Sequence, residues 1–86
     1  MDWNLAAYVL RSKNRPDVLN ILKIPQSPTQ VSKKLKISLT HASKTIRELS
    51  SKKLIKCLNE KDKLGRIYEI TKEGKEILDY VNKVKV

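Results

Sequence analysis

The sequence predicts a small, mainly α-helical domain that carries one β-hairpin. Three observations predict it. Apolar residues recur at helical spacing in five separate stretches. Serine, proline and threonine start signals head the later ones. Only residues 54–71 change to β-leaning runs, around a polar turn. With 86 residues, the chain reads as a single domain spanning 1–86. A chain this short buries only roughly 60–65% of its extended surface, enough for one core and little else.

Residues 2–12, DWNLAAYVLRS, form the first expected helix. Trp3, Ala6, Ala7 and Leu10 share one face, while Leu5, Tyr8 and Val9 occupy the others. A helix that is apolar all round is usually covered all round. A strand over residues 6–10 is the alternative. In NRPDVLNILKI, Pro16 suits a first helical turn with Asn14 or Arg15 as cap, and Asp17 suits the positive end of the helix dipole. Val18, Leu19 and Leu22 make its inner face, and Pro25 ends it.

SPTQVSKKL opens on a full start signal. Ser27 is the N-cap, Pro28 follows it, and Gln30 completes a capping box. After the short break KIS, Ser38 caps the next helix. Two short helices joined by three or four residues are the helix-turn-helix signature, here over 27–52. Leu39, Ala42, Ile46 and Leu49 lie in one narrow arc of the second helix. The opposite arc holds Thr40, Lys44, Arg47 and Ser51, with His41 and Ser43 at its margins. One face is expected to sit on the domain. The other, with small hydroxyls and long cations, can approach phosphates and base edges. The hairpin, 54–71, turns at EKDKLG, where Gly65 suits a positive-φ position. Thr71 caps a last helix over 72–84, whose residues Ile77, Leu78, Tyr80, Val81 and Val84 span a wide apolar arc.

Charge is unevenly placed. The net is +10, from 19 Lys and Arg against 9 Asp and Glu. Residues 26–56 hold eight cations and only Glu48, a net of +7. The flanking segments, 1–25 and 57–86, carry +2 and +1. A basic segment on a balanced chain is the footprint of a polyanion binder; a lysine-rich solubilising surface is the plain alternative.

Helix, helix, turn, helix, hairpin, helix is the winged helix-turn-helix order. From about Asn14 to Val81 the chain resembles the small winged helix-turn-helix transcription regulators of archaea and bacteria, of the MarR and ArsR broad type. The resemblance rests on Ala42, Ser43, Lys44, Ile46 and Leu49 in the recognition-helix pattern. It rests also on Arg66, Tyr68, Ile70, Thr71 and Gly74 at the wing exit. The glycine usual before the LI of such proteins is Lys53 here. The resemblance implies a sequence-specific double-stranded DNA-binding protein that reads the major groove with residues 39–52. Carried over by position, Thr40, His41, Ser43, Lys44 and Arg47 face the groove, and Lys61, Lys63 and Arg66 are the wing contacts. Ser27, Thr29, Lys33, Lys34 and Lys36, flanking the turn, are the candidates for backbone phosphates. Such proteins usually bind as two-fold dimers. A protein-interaction or RNA-binding module of the transcription or translation machinery is the alternative.

The uncovered apolar arcs of the two chain ends also call for a second surface. Trp3, Ala6, Ala7, Leu10, Ile77, Tyr80, Val81 and Val84 are therefore the expected homodimer interface. Enzyme chemistry finds no support: the two glycines make no phosphate-cradling loop, and no nucleophile set suggests itself. No cofactor is expected. A metal is not expected either, because His41 is the one histidine and Cys57 the one cysteine. Cys57, in step with Ile55, reads as a small buried hydrophobe. Trp3, Tyr8, Tyr68 and Tyr80 read as core or interface residues, and aromatics at 5% argue against a single-strand stacking platform. No apolar run is long enough for a membrane, and no signal peptide is recognisable, so a cytoplasmic location is expected.

Overall fold

The structure, a computed structural model, describes residues 2–84. Five helices and a two-stranded antiparallel hairpin follow one another as α1 (Trp3–Leu10), α2 (Asn14–Ile21), α3 (Pro28–Leu35), α4 (Leu39–Ser51), β1 (Ile55–Cys57), β2 (Tyr68–Ile70) and α5 (Lys72–Val84). This is a winged helix-turn-helix.

Local capping chemistry sets most boundaries. The Asp2 carboxylate accepts the Asn4 and Leu5 N–H groups at 3.0 and 3.2 Å, satisfying two of the orphan donors of α1. Ser27 and Gln30 form the reciprocal capping box, at 2.9 and 3.2 Å. Ser38 Oγ accepts the His41 N–H at 3.1 Å. The second helix departs from expectation. It begins at Asn14, two residues ahead of Pro16, and Lys13 supplies no side-chain cap. It ends at Ile21, well before Pro25.

Both helices of the helix-turn-helix close on a lysine in the left-handed region, Lys36 at φ 57° and Lys53 at φ 61°. At the end of α4, Leu54 N–H donates to Leu49 O at 3.1 Å and Lys53 N–H to Ser50 O at 3.0 Å. That pair of bonds is a Schellman motif, whose left-handed position favours glycine. The stop is as sharp with lysine as it would be with glycine, but the Cβ is strained. Lys53→Gly should therefore raise stability by roughly 1 kcal/mol. A thermal melt should show this as an upward shift of about 4–8 °C.

Every element contributes to one core. Val9, Val18, Leu19, Leu22, Val31, Ile46, Leu49, Leu54, Leu78 and Val81 are its largest fully buried side chains. The sheet is pinned in register by Ile55 opposite Ile70, both buried. Its second strand is also tied to the chain ahead of α3. Gln26 and Tyr68 exchange backbone hydrogen bonds at 3.0 and 2.9 Å, and Ile70 N–H donates to Leu22 O at 2.9 Å. The buried Gln26 side chain donates to Ile21 O at 2.6 Å. These bonds fix the base of the wing against the start of the helix-turn-helix. Cys57 is half-buried, not enclosed, with Sγ 3.6 Å from Asn59 Oδ1.

The apolar arcs of the chain ends divide differently from the spacing argument. Ala6, Ile77 and Val81, expected at a dimer interface, lie buried in the chain's own core. Helices α1 and α5 lie against each other, so the inner stripe of each arc is covered by the other. Trp3 (62% exposed), Leu10 and Val84 stay exposed, with Ala7 and Tyr80 half-buried. The Trp3 and Tyr80 rings meet edge to face, 5.0 Å between centroids.

Candidate nucleic-acid interface

Helix α4 is held by α3, α2 and β1, and its buried face is Ala42, Thr45, Ile46 and Leu49. Its outer face presents Thr40, His41, Lys44, Arg47 and Ser51, all exposed, with Ser43 half-buried at the margin. One exchange corrects the periodicity. Leu39, placed by spacing in the dry arc, is 50% exposed, and Thr45 is buried in its stead. As the first residue of α4, Leu39 lies where the helix runs past the edge of the core. Thr45 tolerates burial because its hydroxyl donates to His41 O at 3.1 Å, the back-bonding to i−4 open to threonine in a helix.

The helix's one acid is taken up by an ion pair. Glu48 Oε1 lies 3.5 Å from Arg15 Nη2, and this is the one ion pair among the described residues. Arg15 is itself mostly enclosed. Its Nη1 donates to Tyr8 O at 2.6 Å, and its guanidinium lies 3.7 Å from the Tyr8 ring centroid, a cation–π contact. The pair ties α2 to α4 and gives the negative charge a cation of its own. Lys44 and Arg47 therefore project from a helix whose single acid, Glu48, already has Arg15 as its partner. Spacing gave no sign of Arg15, because its partners lie seven and thirty-three positions away.

His41 is anchored rather than free. Its Nε2 lies 2.9 Å from Asn14 Nδ2. The contact places the imidazole against the Asn14 side-chain amide. The first turn of α4 is thus tied to the start of α2.

The wing faces the same end from the other side. Ser27, Thr29, Leu39, Ser43, Lys63 and Arg66 line a cleft between wing and helix-turn-helix, closed by Pro28, Leu64, Gly65 and Tyr68. Lys61 and Lys63 are exposed on the wing loop. Arg66 is less free than its exposure suggests. Its Nε donates to Asp62 O at 2.8 Å and its Nη2 to Glu60 O at 3.4 Å, so part of its donor set braces the loop. The loop's organiser, missed in the sequence, is Asn59. Its Oδ1 accepts Ile67 N–H at 2.7 Å, while its Nδ2 donates to Asp62 Oδ2 at 3.0 Å and to Gly65 O at 3.1 Å. An asparagine at the mouth of a turn is the signal that could have found it. Gly65 takes the positive φ expected, 68°.

Among the candidates for backbone phosphates, Thr29, Lys33, Lys34 and Lys36 are exposed, whereas Ser27 is half-buried and its hydroxyl oxygen serves the capping box. Lys33 and Lys34 stand in the last turn of α3, where they also complement the helix dipole. No group of three histidine, cysteine or acidic side chains suited to a metal occurs among the described residues, and no described helix is long and apolar enough to cross a membrane.

The winged helix-turn-helix family model matches residues 15–86. The chain belongs to the winged helix-turn-helix family. No curated protein and no solved structure matches it alongside. The family match runs from Arg15 in α2 through α5 and so includes α4, the wing and the cleft between them. It leaves α1 outside, the helix that carries Trp3 and Leu10. The winged helix-turn-helix is a DNA-binding fold, and the outward face of α4 together with the wing forms its candidate contact surface here.

Proposed function

We propose that this winged helix-turn-helix protein is a sequence-specific binder of double-stranded DNA and a transcription regulator of the MarR- or ArsR-like kind. The observation that carries the reading is the outer face of α4: exposed Thr40, His41, Lys44, Arg47 and Ser51, with the helix's only acid paired to Arg15. A protein-docking face would present apolar or aromatic anchors there, and the only such group on the outward side is Leu39 at its very start. In this reading Lys44 and Arg47 reach base edges, Ser43, Thr40 and His41 line the groove, and Lys61, Lys63 and Arg66 meet the backbone beside it. Lys33, Lys34 and Lys36, with Ser27 and Thr29, contact phosphates.

Mutants separate the two kinds of contact. Arg47→Ala and Lys44→Ala should each lower affinity for a selected duplex by roughly 1–3 kcal/mol while changing random-sequence binding less. Lys63→Ala should weaken all sequences about equally and flatten the salt slope by about one unit. If Arg47→Ala and Lys63→Ala variants behave alike on cognate and random duplexes, the assignment of readers and positioners is wrong. Stronger binding to RNA than to duplex DNA of matched length would favour the RNA-binding alternative.

A two-fold homodimer completes the reading. Trp3, Leu10 and Val84 are exposed, and Trp3 joins α1 to α5 through Tyr80, so one apolar strip runs over both helices with Ala7 beside it. A second copy covering this strip would leave both α4 helices free for successive major grooves about 34 Å apart, on an inverted repeat. Trp3→Ala and Val84→Asp should shift the protein toward monomer without unfolding it, since neither side chain is in the core. Sedimentation at micromolar concentration checks this: a monomer at every concentration removes the dimer.

A further inference from the structure

Leu64 is the most exposed of the exposed large hydrophobic residues, at 89%, and it stands near the tip of the wing. A solvated leucine on a slack loop would mean little, since scattered apolar surface is normal. This loop is not slack. Asn59 grips Ile67 N–H, the Asp62 carboxylate and Gly65 O. Arg66 grips Asp62 O, and Gly65 makes the turn at φ 68°. The ties bracket Leu64 on both sides, and its neighbours Lys61, Lys63 and Arg66 outnumber the loop's acids, Glu60 and Asp62.

The chemistry of that tip defines its partner. It must accept an aliphatic side chain while presenting anions around it. A duplex minor groove does both, with sugar C–H edges and base edges inside and phosphates along both rims. Leu64 lines the same cleft as Leu39 and Ser43 at the start of α4. In the duplex-binding reading, the wing tip therefore stands beside the duplex that α4 engages, and the minor groove is the surface that fits its chemistry. From this geometry we infer that Leu64 is an apolar wedge that enters the minor groove, opens a base step and bends the duplex. The inference rests on the duplex-binding reading above. It gives the wing a part in specificity, because pyrimidine–purine steps such as TA unstack most easily.

Two duplexes of about 30 base pairs, labelled at both ends for energy transfer, test it at low salt; one is rich in TA steps and one has none. Wild-type protein at saturation should bend the TA-rich duplex by roughly 20–90° and prefer it by about fivefold. Leu64→Ala should lose most of the bend and the preference, while Leu64→Met keeps both. Lys63→Ala should bind both duplexes more weakly yet still bend the TA-rich one when saturated. A saturated Leu64→Ala complex bent like the wild type, or a straight wild-type complex, overturns the wedge and leaves duplex binding standing. Wild-type protein that binds neither duplex overturns the DNA reading and the wedge with it.

Discussion

Raising monovalent salt from about 50 to about 200 mM should lower the affinity for duplex DNA roughly a thousandfold. The expectation counts six exposed cations of the helix-turn-helix and wing that the proposed interface assigns to DNA: Lys33, Lys34, Lys36, Lys44, Arg47 and Lys63. Each phosphate neutralised releases condensed counterion, so about six contacts give a log–log slope near −5. Glu48 offsets this little, because its charge is taken up by Arg15. Titrations by fluorescence anisotropy at four or five salt concentrations measure the slope. Affinity that stays level across that range would mean that the net +7 of residues 26–56 is only a solubilising surface.

Gly74→Ala should be the most destabilising small substitution in the chain. Gly74 sits three residues beyond the N-cap Thr71, and its N–H donates to Thr71 Oγ1 at 3.1 Å. The same hydroxyl donates to Lys53 O at 2.9 Å, and Thr71 N–H donates to Leu54 O at 3.0 Å. These bonds draw the first turn of α5 onto the backbone where α4 gives way to β1. A Cβ at position 74 would overlap the Leu54 carbonyl oxygen and come within 2.7 Å of Ile70 Cγ1. A carbonyl already engaged by Thr71 has no room to retreat. Overpacking of this kind costs about 3 kcal/mol, against which alanine's better helix propensity returns less than about 1 kcal/mol. With about 2 kcal/mol left after that offset, the melting temperature of a domain of this size should fall by roughly 8–16 °C. An alanine variant that melts with the wild type would show that α5 can shift off Leu54. The TKEG run of the wing exit thus has a physical cause: threonine ties two carbonyls and a helix start together, and glycine lets them touch.

Much of the helix-turn-helix was legible because its instructions are local. The Ser27–Gln30 capping box, the Ser38 and Thr71 caps and the Gly65 turn each act within about four residues. The outward cations of α4 follow from one helical period. Lys53 was the local signal hardest to weigh: a lysine stands where glycine is favoured, and the left-handed stop forms regardless because Leu49 and Ser50 carbonyls are both satisfied.

Where a wide apolar arc met more than one possible neighbour, sequence could not choose. Ala6, Ile77 and Val81 looked as free as Trp3 and Val84 until α1 and α5 covered one another's inner stripes. Leu39 and Thr45 exchanged burial because the core ends before the first turn of α4, which periodicity does not see. The sequence alone determined a basic helix-turn-helix followed by a hairpin, since caps, turns and charge balance depend on near neighbours. Tertiary structure decided which apolar surface remains uncovered, where Glu48 sends its charge, and how Gln26, Tyr68 and Asn59 fix the wing beside α4. Those outcomes depend on groups far apart in the chain, whose burial and hydrogen bonding exist only once the elements have met.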